Sequence, residues 1–124
     1  MEKIKLEFTV QSNIIVSSSM FVLMTLDETG NKCIAKIVDA INGKQKEPTA
    51  LPNRVLKAFT ENTINKILAK DEIPNESGIS VLDGYNYKIK LTKGDICKEY
   101  NADDANIESY PLLRYLASWC RHQM

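Results

Sequence analysis

The sequence predicts an α+β domain: a mostly antiparallel sheet of about five strands, with two helices, at about 53–70 and 110–122, packed on one face. Three observations predict it. From Ile4 to Val10 the chain alternates, with Ile4, Leu6, Phe8 and Val10 on one parity and Lys5, Glu7 and Thr9 on the other. A period of two marks a strand with one buried and one wet face. From Tyr85 to Leu91 the same pattern sets Tyr85, Tyr87, Ile89 and Leu91 against Asn86, Lys88 and Lys90. Two further segments carry apolar residues at three- and four-residue spacing, the pattern of amphipathic helices.

A chain of 124 residues reads as a single domain, 1–124, long enough to bury a core without metals or disulfides. Apolar residues make up 44% and charged residues 26%, ordinary globular usage that argues against disorder. Lys plus Arg and Asp plus Glu both number 16, so the formal net charge is zero. Phosphate binding relies on a surplus of Lys and Arg, so nucleic acid is not the expected partner. Cys33, Cys97 and Cys120 are odd in number and lack C-x-x-C spacing, which reads as reduced, mostly buried thiols. Met1-Glu2-Lys3-Ile4-Lys5 alternates charge with apolar residues and reads as a strand start, not a signal peptide. No run approaches the roughly 20 apolar residues of a membrane span. The expectation is a cytoplasmic protein, off the membrane, folded as a monomer or dimer.

In chain order, the Ile4–Val10 strand is broken by Gln11-Ser12-Asn13. A β-prone run follows from Ile14 to Leu26, with Ser17, Ser18 and Ser19 as a bulge or loop lip. Its second half, Met20 to Leu26, is apolar on both parities, which fits a central strand covered on both faces. Asp27 to Asn31 is a turn cluster, and Cys33 to Val38 reads as the returning strand of a hairpin. Asn42 to Pro48 is polar and breaker-rich, and 42–50 reads as the longest exposed loop. In the first helix Pro52 stands near the start and Asn53 is placed to cap. Leu56, Phe59, Thr63, Ile64, Ile67 and Leu68 form its apolar face. Ile73-Pro74, Ser77-Gly78 and Asp83-Gly84 lead to the Tyr85–Leu91 strand. Thr92 to Asp95 turns the chain so that Ile96 to Tyr100 pairs with it. Asn101 to Asn106 reads as a loop or a single helical turn. Ser109 is placed to cap the last helix, with Pro111 in its first turn. Leu112, Leu113, Leu116, Ala117 and Cys120 provide its buried side. Phe59 and Trp119, one on each helix, should be largely buried against the same sheet; Trp119 lies slightly off that line, and an exposed anchor is its alternative reading.

Side chains able to carry chemistry are few. His122, the sole histidine, is near the chain end and lacks an evident orienting partner for base catalysis. Cys120 and His122 would point about 200° apart on a helix, too far for a nucleophile–base pair. Asp103, Asp104 and Glu108 lack the alternating ligands and turn glycine of a calcium loop. The glycines, at 30, 43, 78, 84 and 94, are isolated and form no phosphate-cradling loop or G-x-S-x-G elbow. We therefore assign no catalytic, cofactor-binding or metal-binding residue and expect no enzyme activity. Lys3, Lys5, Lys88 and Lys90 lie on the polar faces of the two best-patterned strands. If those strands are neighbours, the lysines form a basic stripe with Asn86 and Thr92. The stripe reads as a solvated face or as a contact surface for an acidic partner, and these four lysines are our partner-binding candidates.

The closing third has a D-G, an aromatic-rich alternating strand, a K-G turn, a second strand and a Pro-Leu-Leu helix ending in Trp. Through Asp83, Gly84, Tyr87, Ile89, Gly94, Leu112, Leu113, Leu116 and Trp119 it resembles small bacterial α+β domains of the emfourin type, protein inhibitors of thermolysin-like metalloproteases. Where that pattern has a glycine-rich turn after its first strand, this chain has Gln11-Ser12-Asn13, and no inhibitory loop carries over. The resemblance implies the same fold class and action on a protein partner. Together with the absence of cofactor motifs, it leads us to expect a small binding protein that acts by surface contact on a larger macromolecule. Inhibitors, immunity proteins and anti-defence factors of bacteria or phage are of this kind. A structural or assembly subunit, or a small enzyme without a recognisable motif, remains the alternative.

Overall fold

The computed structural model describes residues 3–12, 18–39, 45–46, 51–70, 85–103, 107 and 110–123. Strands β1 (Ile4–Ser12), β2 (Ser18–Asp27), β3 (Gly30–Asp39), β4 (Gln45–Lys46), β5 (Tyr85–Lys93) and β6 (Ile96–Asp103) join three helices, α1 (Asn53–Ala58), α2 (Glu61–Leu68) and α3 (Pro111–Gln123). The strands form one sheet in the order β4-β3-β2-β1-β5-β6, and every pairing is antiparallel. The α+β class and the antiparallel sheet are as expected. The sheet has six strands instead of about five, because two residues of the segment read as a loop, Gln45 and Lys46, pair with Val38 and Ile37.

Alternation in β1 and β5 resolves as it reads. Ile4, Leu6, Phe8 and Val10 are fully buried, as are Tyr87, Ile89 and Leu91, while Lys88 and Lys90 are exposed. Phe8 and Tyr87 stack with ring centroids 5.4 Å apart. These residues join Met20, Val22 and Met24 of β2, Tyr100 and Ala102 of β6, and side chains of all three helices in one core. Helices thus cover one face of the sheet.

The single helix expected over 53–70 is two. Phe59 leaves helical geometry (φ −82°, ψ 83°), and Thr60 is the N-cap of α2, its side chain accepting from the Thr63 N–H. A Thr cap followed by an acid, Glu61, suits a helix start. The break resets the helical phase, so Val55 is buried and Leu56 only partly so. Asn53 does not cap: it is the first helical residue, and extended Pro52 holds the N-cap position without a side-chain bond.

Two further readings change, and the expected burial of Trp119 holds. Asn101, Ala102 and Asp103 extend β6, because Lys88, Tyr87 and Asn86 of β5 stand opposite them. Trp119 is core, buried with Leu112, Leu113, Leu116, Ala117 and Cys120. Cys97 is exposed, unlike Cys120. Asn13 to Ser17, most of the 42–50 loop, the turns at Ile73-Pro74, Ser77-Gly78 and Asp83-Gly84, and Ser109 lie outside the described residues, as does the side chain of Cys33.

Candidate functional site

With helices on one face, the polar parity of the strands lines the other. Register arranges it in rows. Leu23, Glu7, Lys90 and Glu99 stand side by side across β2, β1, β5 and β6, and so do Phe21, Thr9, Lys88 and Asn101. A third row holds Thr25, Lys5, Thr92 and Cys97. Directly opposed side chains in a sheet are close enough to interact.

The rows place the four lysines. Lys5, Lys88 and Lys90 share this face, and exposed Lys3 precedes β1 on the same parity. They do not form an uninterrupted basic stripe. Glu7 stands between Lys5 and Lys90 in the pleat, with its Oε1 3.6 Å from Lys5 Nζ. Glu99 stands on the far side of Lys90. The face alternates in charge.

A depression of about 410 Å³ opens on this surface, lined by Glu7, Thr9, Phe21, Lys88, Ile89, Lys90, Glu99, Tyr100 and Asn101. Its cause is local. Thr9 is short and sits between the long side chains of Phe21 and Lys88. Phe21 is the apolar element, 36% exposed. The run Met20 to Leu26 is therefore not covered on both faces: Met20, Val22 and Met24 are buried, while Phe21 looks outward. Its signal was in the sequence, since apolar residues on both parities beside strands with a clean polar face leave apolar surface in the open.

No protein-family model matches the chain, and no curated protein or solved structure matches it either.

The remaining reactive groups are dispersed. His122 is exposed, and its Nδ1 donates to the Ser118 carbonyl oxygen, 2.7 Å away on the same helix. Cys120 is buried. Cys97 stands at the sheet's end, where it accepts from Thr92 Oγ1 at 3.7 Å. Asp103 ends β6, while Asp104 and Glu108 lie outside the described residues. Among the described residues no three His, Cys, Asp or Glu side chains converge as metal ligands, and no helix is long and apolar enough to cross a membrane. A concave, mixed-charge surface with one aromatic at its rim suits docking. Interleaved charges select a partner of matching pattern, and binding energy concentrates in buried aromatic and Arg anchors.

Proposed function

We propose that this chain is a small binding protein that acts by surface contact on a larger macromolecule, in the manner of an inhibitor, immunity or anti-defence protein. It docks through the open sheet face, where Lys3, Lys5, Lys88 and Lys90 steer the encounter and Phe21 anchors it. The carrying observation is the depression between Phe21 and the Lys88–Lys90 strand, a concavity in a face that no described helix covers. The likeness of the closing third to emfourin-type domains supports a protein as the partner.

The test takes the whole chain as bait in extracts of the source cell, then measures the captured partner's affinity for variants. Reversing Lys5 and Lys88 together to Glu weakens binding at least ~10-fold, about 1.4 kcal/mol, and Phe21→Ser does the same. Unchanged affinity in both variants, with the fold verified by circular dichroism, eliminates the sheet face.

A further inference from the structure

Two of the three helices are charged differently from the rest of the molecule. The chain as a whole balances 16 cations with 16 acids. Yet α1 (NRVLKA) and α3 (PLLRYLASWCRHQ) contain no acidic residue at all. Both helices carry exposed cations: Arg54 and Lys57 on α1, and Arg114 on α3.

Two of these cations converge. The guanidinium carbon of Arg54 lies 5.3 Å from the centroid of the Tyr115 ring, and that of Arg114 lies 5.2 Å from the same centroid. Tyr115 is half-buried and packed against the core, so it is a fixed platform. Neither arginine has an ion-pair partner among the described residues. Two like charges gathered at one ring repel, and the ring's negative face offsets that only in part. A guanidinium held over a ring keeps its in-plane N–H fork for a carboxylate or phosphate.

We infer that Arg54, Tyr115 and Arg114 form an anion-recognising contact for an acidic polypeptide segment that presents at least two carboxylates. Arg and Tyr are the side chains in which interface energy concentrates. A polypeptide is favoured over nucleic acid because the net charge is zero and the other described faces carry acids such as Glu7, Glu99 and Asp103. The contact lies across the sheet from the open face, and it goes beyond the function proposed above without depending on it.

The experiment is fluorescence anisotropy with a fluorescein-labelled hexaglutamate peptide, run beside a labelled oligothymidylate of matched length. The full chain binds hexaglutamate, and added salt weakens the binding. The double variant R54Q/R114Q loses at least ~10-fold in affinity, about 1.4 kcal/mol, while K66Q/K70Q, which removes the same charge from exposed positions at the end of α2, is without effect. Should the double variant not fold, Arg54→Gln alone, at an exposed position, carries the same test with a smaller loss. No hexaglutamate binding by the wild-type chain overturns the inference, as does equal binding by the Arg variants or equal loss in K66Q/K70Q. Tighter oligothymidylate binding that the Arg variants abolish also overturns it, by reassigning the contact to nucleic acid.

Discussion

The Tyr100 hydroxyl donates to the carbonyl oxygen of Lys70 at 2.9 Å. The Ile67 carbonyl shares that proton at 3.1 Å, and Lys98 Nζ donates to the Leu68 carbonyl at 2.8 Å. The last carbonyls of a helix have no partner inside the helix. Here two neighbouring β6 side chains supply the partners, and the Lys98 charge also suits the negative end of α2. Removing the hydroxyl with Tyr100→Phe leaves the ring packed and takes its donor from the Lys70 carbonyl, while the Ile67 carbonyl keeps the Lys70 N–H and the Leu68 carbonyl keeps Lys98. Urea denaturation reads a loss of about 1 kcal/mol, without a change in slope. No change in midpoint means that water replaces the hydroxyl at no cost.

Trp119 is nearly fully buried, yet its Nε1 has no hydrogen-bond partner among the described residues. A buried donor left unbonded costs stability, so the ring's contribution is its packing alone. Trp119→Ala removes that packing and costs about 3–5 kcal/mol. Trp119→Phe keeps most of the contact and removes the orphan donor, so its cost is below about 2 kcal/mol. Equal losses in the two variants would show that the indole N–H is bonded after all. Thermal and urea unfolding of both proteins make the comparison.

Gly94 turns β5 into β6 with φ +56°, a region L side chains avoid. Lys93 pairs with Ile96 across the turn, so the loop is only two residues long, and Asp95 keeps a negative φ. Positive φ at the first loop position alone is the type II′ pattern, which calls for glycine there. Gly94→Ala lowers stability by about 1–2 kcal/mol. A neutral substitution would mean that the turn relaxes to another form, which amide hydrogen exchange in β5 and β6 detects.

Lys5 and Lys88 differ in surroundings though both face outward. Lys5 pairs with Glu7 at 3.6 Å, and Lys88 stands between Thr9 and Asn101. Exposed pairs of this kind are worth under about 1 kcal/mol. Reversal of both lysines to Glu therefore changes stability by less than about 1.5 kcal/mol, with the larger share at position 5, where the new carboxylate meets Glu7. A greater loss in chemical unfolding would assign the lysines to the fold and remove the reversal as a probe of binding.

Much of the fold was legible because strand alternation is a local signal. Ile4 to Val10 and Tyr85 to Leu91 show their buried face in single residues, and the Leu112–Cys120 pattern does so for α3. The helix over 53–70 was legible in place but not in number. Its apolar spacing runs through Phe59, whereas the break there depends on Thr60 capping a new helix. The candidate site was legible in part: the lysines could be put on one face, but Phe21 was read as covered.

By itself the sequence determined which residues alternate, where helices lie, and that α1 and α3 lack acids, since each is a property of neighbours along the chain. The tertiary structure alone decided the rest. Asn101 to Asp103 became a strand because β5 offered a partner for their backbone. Glu7 and Glu99 came to flank Lys90 because register, not spacing, sets which side chains stand abreast. Arg54 and Arg114, far apart in the chain, met at Tyr115 because α1 packs against α3, and helix packing is a matter of surfaces that no local pattern encodes.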